Sequence, residues 1–143
     1  MKKRTIGVLA IALCAVIALA GYGALTSDGT AKGFDYEDLG YTRIFQDEAK
    51  AMMDEGGVII LDVREQHEYD EVHIKDAVLL PVGEIDEESA AQVIPEKDSV
   101  VLVYCRTGNR SKTASKALAD LGYTNIYEFG GIATWKYDVV WAE

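Results

Sequence analysis

Thiols and imidazoles are scarce in this 143-residue chain, which has two cysteines, Cys14 and Cys105, and two histidines, His67 and His73. Cys14 lies inside an N-terminal apolar run, so the domain that follows holds a single thiol. A single thiol forms no internal disulfide and builds no cysteine-rich metal site. His67 and His73, six residues apart and without paired cysteines, complete no zinc site, and both read as structural or surface residues. Positive charge is short as well: 24 acidic side chains face 14 basic ones, a net charge of −10. Setting aside Lys2, Lys3 and Arg4, which head the apolar run, leaves 11 of the 14 bases and a balance of −13. A surface of that sign repels nucleic acid and anionic lipid, and no basic stripe interrupts it. Internal repeats and low-complexity tracts are missing too. With 49% hydrophobic residues, the chain suffices for one packed domain plus a short extra segment.

The extra segment is N-terminal. A basic start is followed by residues 6–20, apolar throughout, with Ala18-Leu19-Ala20 as a small-residue cleavage site. The apolar character continues to Leu25, about twenty residues in all and enough to span a bilayer. Residues 1–25 are therefore expected to be a signal peptide or a retained N-terminal membrane anchor. Either way the basic end stays inside and the rest is exported across the cytoplasmic membrane, with residues 6–25 as the tether if they are kept. Leu13 is not the small residue that a lipidated Cys14 would need before it. Residues 26–40, opening on Ser27, Asp28, Gly29 and Thr30, read as a flexible linker, which leaves 41–143 as the folded domain.

Within that domain, hydrophobic patterning alternates between strand and helix. Residues 41–44 form a short strand, and residues 46–55 a helix with Ala49, Met52 and Met53 facing inward, stopped by Gly56-Gly57. Residues 58–61, 77–80 and 100–104 are continuous apolar runs, the mark of strands covered on both faces. Residues 65–69 suit a short helix and 84–94 a longer one. After Cys105, Ala114, Ala117, Leu118 and Leu121 line one buried helix face. Residues 125–129 close with a last strand, and a helical segment runs on through Trp135. Such alternation predicts an α/β domain whose parallel sheet binds ligands at the C-terminal ends of its strands.

One stretch stands at such an end: Cys105-Arg106-Thr107-Gly108-Asn109-Arg110-Ser111, between an apolar strand and a helix. The first N–H groups of a helix lack intrahelical partners and favour anions. A cysteine held there becomes acidic, its pKa falling from ~8.5 to as low as roughly 3.5–7.5. Arg106 and Arg110 add positive charge against an acidic background, suited to drawing in an anionic substrate. Gly108 lets the loop curl.

The domain resembles the single-domain rhodaneses, thiosulfate sulfurtransferase-like modules. The resemblance rests on Leu61-Asp62-Val63-Arg64-Glu65, Glu68-Tyr69, His73-Ile74, the Cys105–Ser111 loop, and Gly130-Gly131 with Trp135, in that order. It implies a five-stranded parallel sheet with helices on both faces, and a catalytic Cys105 that carries a persulfide between two half-reactions. Arg106, Thr107, Gly108, Asn109 and Arg110 would bind substrate through their backbone N–H groups, with Arg110 alternatively bracing the loop carbonyls. The reaction would take sulfur from a small anionic donor such as thiosulfate to a thiol or cyanide acceptor, or to a protein acceptor, without metal or cofactor. Asp62, Arg64 and Glu68 are expected to form an internal ion-pair and capping network, Tyr69 and Trp135 to join the core, and Ser111 to cap the helix. Val72 stands where the family often has glycine, Lys75-Asp76 where Pro-Gly is frequent, and Tyr137-Asp138 where a glycine is common.

Two other readings compete. Cysteine-dependent phosphatases and arsenate reductases also set a thiolate and an arginine around an oxyanion, but with one residue more than the four between Cys105 and Arg110. The tighter loop suits a single sulfur atom. A non-enzymatic rhodanese-like binding module, or a persulfide carrier or redox partner for another exported protein, is the remaining alternative.

Overall fold

The computed structural model describes residues 39–142; the expected leader and nearly all of the linker lie outside them. Five strands form one parallel sheet: β1 (Thr42–Arg43), β2 (Val58–Asp62), β4 (Val78–Leu79), β5 (Val100–Cys105) and β6 (Asn125–Gly131), in the order β1-β6-β5-β2-β4. The sheet is covered on both faces, as the runs of apolar residues require. In β5, Val101, Val103 and Cys105 enter one core with Leu61, Ala90, Ile94, Ala114, Leu118 and Ile126. The alternate residues, Leu102 and Tyr104, enter the other core with Ala49, Ile60, Ile74, Ala77 and Phe129. The period-two alternation of strand side chains thus makes β5 the common wall of both cores.

The helices are α1 (Gln46–Glu55), α2 (Gln66–Glu71), α3 (Glu87–Val93) and α4 (Asn109–Asp120). α1 has the expected bounds because Gly56, at φ 80, ends it with its N–H on the Met52 and Met53 carbonyls. The helix expected over 84–94 is shorter. Asp86 and Ser89 cap each other's backbone N–H reciprocally, so α3 begins only at Glu87, after a 3-10 turn at Val82–Glu84. The strand expected over 77–80 shrinks to the two residues of β4, which pairs with β2 alone at the sheet edge. The segment leading to Trp135 is a single 3-10 turn, Ile132–Thr134.

Beside the sheet, β3 (Val72–Ile74) and β7 (Val139–Trp141) form an antiparallel ribbon, which the sequence reading omits. Asp76 takes φ 64 in the turn between β3 and β4. Aspartate is among the few L residues that adopt this conformation, and the position is where the resembled family often has glycine. Packing reaches back to Gly40, where a Cβ would come within 2.7 Å of the Ala119 Cβ on α4.

Candidate active site

β5 occupies the middle of the sheet, so its last residue, Cys105, stands at the centre of the C-terminal edge. The chain then turns through Arg106, Thr107 and Gly108 and enters α4. Gly108, at φ 101, is the N-cap of α4, and few L residues would tolerate that conformation. This displaces Ser111 from the expected cap into the first turn, where it is fully buried. Gly131 closes the loop from the other side. A Cβ there would lie 2.1 Å from the Arg106 carbonyl oxygen, so only glycine lets β6 pass this close. The same carbonyl accepts the Ala133 N–H at 3.1 Å.

The loop converges on the sulfur. The Gly108 N–H donates to Cys105 Sγ at 3.1 Å, and Sγ lies 3.6 Å from Ser111 Oγ. Cys105 is 1% exposed. Burial pushes its thiol up, but the hydrogen bonds that the sulfur makes with the Ser111 hydroxyl and backbone and with the Gly108 and Thr107 N–H groups outweigh it and leave the thiol below its ordinary value. The direction is the one expected at a strand-to-helix turn.

The two arginines part company. Arg110 holds Glu68 in a two-pronged ion pair, Nη1 to Oε2 at 2.6 Å and Nη2 to Oε1 at 2.8 Å. It therefore braces the loop against α2 rather than through the loop carbonyls. Arg106 is exposed, as are Thr107 and Asn109, and it lines a cleft of about 520 Å³ together with His67, Glu68, Trp135 and Trp141. Asp62 and Arg64 form the expected internal pair, with Arg64 Nη2 2.6 Å from Asp62 Oδ2 and also 2.6 Å from the Val72 carbonyl. Glu68 additionally closes the capping box that starts α2, accepting the Glu65 N–H at 3.1 Å. Tyr69 donates its hydroxyl to the Ala77 carbonyl at 2.6 Å and stacks on His73, while Trp135 packs against Phe129. Among the described residues no group of side chains suited to a metal ion occurs.

Glu128 is the site residue that sequence reasoning missed. It is fully buried on β6 and accepts the Ser111 hydroxyl at 2.6 Å, the Gly130 N–H at 2.9 Å and Arg43 Nε at 2.9 Å. The strand's own alternation carries a signal for it, since Glu128 shares a face with Ile126, which is 2% exposed.

Residues 45–138 match the rhodanese-like domain family. The chain belongs to that family. It is 34% identical over 97 residues to thiosulfate sulfurtransferase GlpE of Coxiella burnetii, covering 67% of this chain and 88% of that one. Thiosulfate sulfurtransferase PspE of Escherichia coli is 35% identical over 72 residues, covering 50% of this chain and 68% of that one. A solved rhodanese with anions from E. coli superposes with a TM-score of 0.53 at 32% identity, covering 57% of this chain and 95% of that one. Relatives so named support a sulfurtransferase-like role for this rhodanese domain.

Proposed function

We propose that this chain is an exported sulfurtransferase that moves sulfane sulfur through a persulfide on Cys105. The observation that carries the reading is the focus of loop N–H groups on a buried thiol held below its ordinary pKa. In the first half-reaction the Cys105 thiolate attacks the outer sulfur of thiosulfate. An S–S bond forms, the donor's S–S bond breaks, and sulfite leaves with the electron pair. In the second, a thiolate or cyanide attacks the terminal sulfur of the persulfide and Cys105 departs as a thiolate, so the cycle is ping-pong. The N–H groups that face Sγ offer a fixed cradle for the anionic persulfide, as an oxyanion hole does for oxygen. Arg106, exposed on the cleft beside the loop, supplies positive charge for the dianionic donor. Export follows from the basic and apolar leader of residues 1–25, retained or cleaved.

Intact-mass spectrometry tests the cycle on native protein and Cys105→Ser. Thiosulfate should add one sulfur to the native protein alone, and cyanide should remove it with release of thiocyanate. A native thiol that alkylates readily yet gains no sulfur would exclude thiosulfate as donor. A thiol inert to both would overturn the enzymatic reading.

A further inference from the structure

Glu128 has no part in the sulfur chemistry just described, yet it is joined to the nucleophile by one hydroxyl. The Cys105 thiol donates to Ser111 Oγ over 3.6 Å, and the Ser111 hydroxyl donates to Glu128 Oε1 over 2.6 Å. A hydroxyl has one proton to give and two lone pairs to receive with, so this chain is satisfied while Cys105 is a thiol. Ionisation changes the demand. The sulfur then needs a donor, and the single Ser111 proton has three claimants: Glu128 Oε1 at 2.6 Å, the Gly130 carbonyl at 3.4 Å and Sγ at 3.6 Å. A short hydrogen bond to a carboxylate is the strongest of these.

Two further donors also bind the Glu128 carboxylate. Gly130 N–H donates to Oε1 and Arg43 Nε to Oε2, both at 2.9 Å. Its charge stands no farther from Sγ than the two links through Ser111 laid end to end, in an interior where like charges oppose one another's formation. The remaining charges around the sulfur differ in kind. Arg110, whose charge favours the thiolate, is engaged with Glu68, Arg106 faces the cleft, and the Asp62–Arg64 pair at the end of β2 passes on to the Val72 carbonyl.

We propose that Glu128 is a positioning residue that holds the Ser111 proton away from Cys105 and so restrains ionisation of the nucleophile. The inference rests on the reading of Cys105 as the sulfur-carrying nucleophile and deepens it. The loop N–H groups favour the thiolate, the carboxylate behind Ser111 opposes it, and their balance sets the pH range in which Cys105 attacks.

The test is the rate of Cys105 alkylation by iodoacetamide against pH, in the full chain and in Glu128→Gln, Ser111→Ala and the double variant, with folding checked by circular dichroism. Glutamine keeps the shape, removes the charge and leaves at most a neutral amide oxygen, a weaker claimant on the Ser111 proton than a carboxylate. The midpoint of the Glu128→Gln profile should move to the acid side, with alkylation at pH 6 about ten-fold faster. Ser111→Ala should move the midpoint to the basic side more in the Glu128→Gln background than in the native one, because there the hydroxyl is no longer claimed first by a carboxylate. A Glu128→Gln midpoint that stays or moves to the basic side overturns the proposal, as does an equal effect of Ser111→Ala in both backgrounds. Should Glu128→Gln not fold, Glu128→Asp keeps the charge but withdraws it from Ser111; it too should shift the midpoint to the acid side, and an unmoved or basic midpoint overturns the proposal. Alkylation needs no sulfur donor. A shifted profile in a protein that never gains sulfur would sink the sulfurtransferase reading and leave this one standing.

Discussion

Two fully buried carboxylates flank β5, Asp62 on β2 and Glu128 on β6, and each is paired with an arginine. Asp62 receives the Arg64 backbone N–H at 3.0 Å and its guanidinium at 2.6–3.0 Å, from a partner two residues away that is itself 2% exposed. Arg64 passes on to the Val72 carbonyl, tying β2 to the start of β3, and lies 5.8 Å from the centre of the Tyr104 ring, so this network ends in the framework. Glu128 draws its arginine from 85 residues away, on the exposed edge strand β1, and its other oxygen leads through Ser111 to the sulfur. Burial and charge are equal in the two acids. What separates a framework acid from one coupled to the chemistry is where its hydrogen bonds end.

The sharpest way to break that comparison is Asp62→Ala. It strands Arg64 as an uncompensated buried charge, so urea unfolding should show a loss of about 3–5 kcal/mol. The pH midpoint of Cys105 alkylation in the folded fraction should stay in place, because the Asp62 network does not touch the sulfur. A moved midpoint would erase the distinction between the two acids. Next in size is Gly131→Ala, on the strand that carries Glu128. The added methyl must push the Arg106–Thr107 peptide aside, costing about 1–3 kcal/mol of stability. Sulfur transfer from thiosulfate should fall by roughly a hundred-fold, the usual consequence of a displacement near one ångström at reacting groups. Gly56 and Gly57, the other glycine pair, have no heavy atom within 4 Å of such a Cβ, so what sets Gly131 apart is the loop it abuts.

How much of this was readable from sequence follows from how local each cause is. The Cys105 loop was legible because a strand end, a cysteine, a glycine and a helix start are contiguous, and α1 because Gly56-Gly57 stops it in place. The Asp62–Arg64 pair was legible because its partners are two residues apart. Glu128 was not, because its meaning depends on Ser111 and Arg43, 17 and 85 residues away, and the tertiary fold alone brings them together. The β3–β7 ribbon failed for the same reason, pairing Val72 with Trp141 across most of the domain. Arg110 lies between these cases. Its place in the loop was plain, whereas its bond to Glu68 needed the distance between α2 and α4.

That last pair supplies the mildest and most graded comparison, since it joins a third carboxylate to an arginine without full burial. Side-chain exposures are 18% for Glu68 and 31% for Arg110, so water screens much of their attraction. Glu68→Gln should therefore cost only about 1 kcal/mol or less. Its pH signature is more telling than its size. The hydrogen bonds from Arg110, together with the Glu65 N–H, hold the Glu68 carboxyl at about 2, against an ordinary 4.5. Between those values the unfolded chain binds a proton that the folded one does not, so stability falls as pH falls. The pair's contribution is whole above about 4.5 and is lost as pH falls toward 2. Glu68→Gln should flatten that part of the acid-unfolding curve while matching the native protein's shape above it, as followed by circular dichroism from pH 5 downward. If the two curves instead run parallel through this window, Arg110 is not held by Glu68 in solution. It would then be free to face the donor, and the contrast between braced and free arginines in the loop would have to be withdrawn.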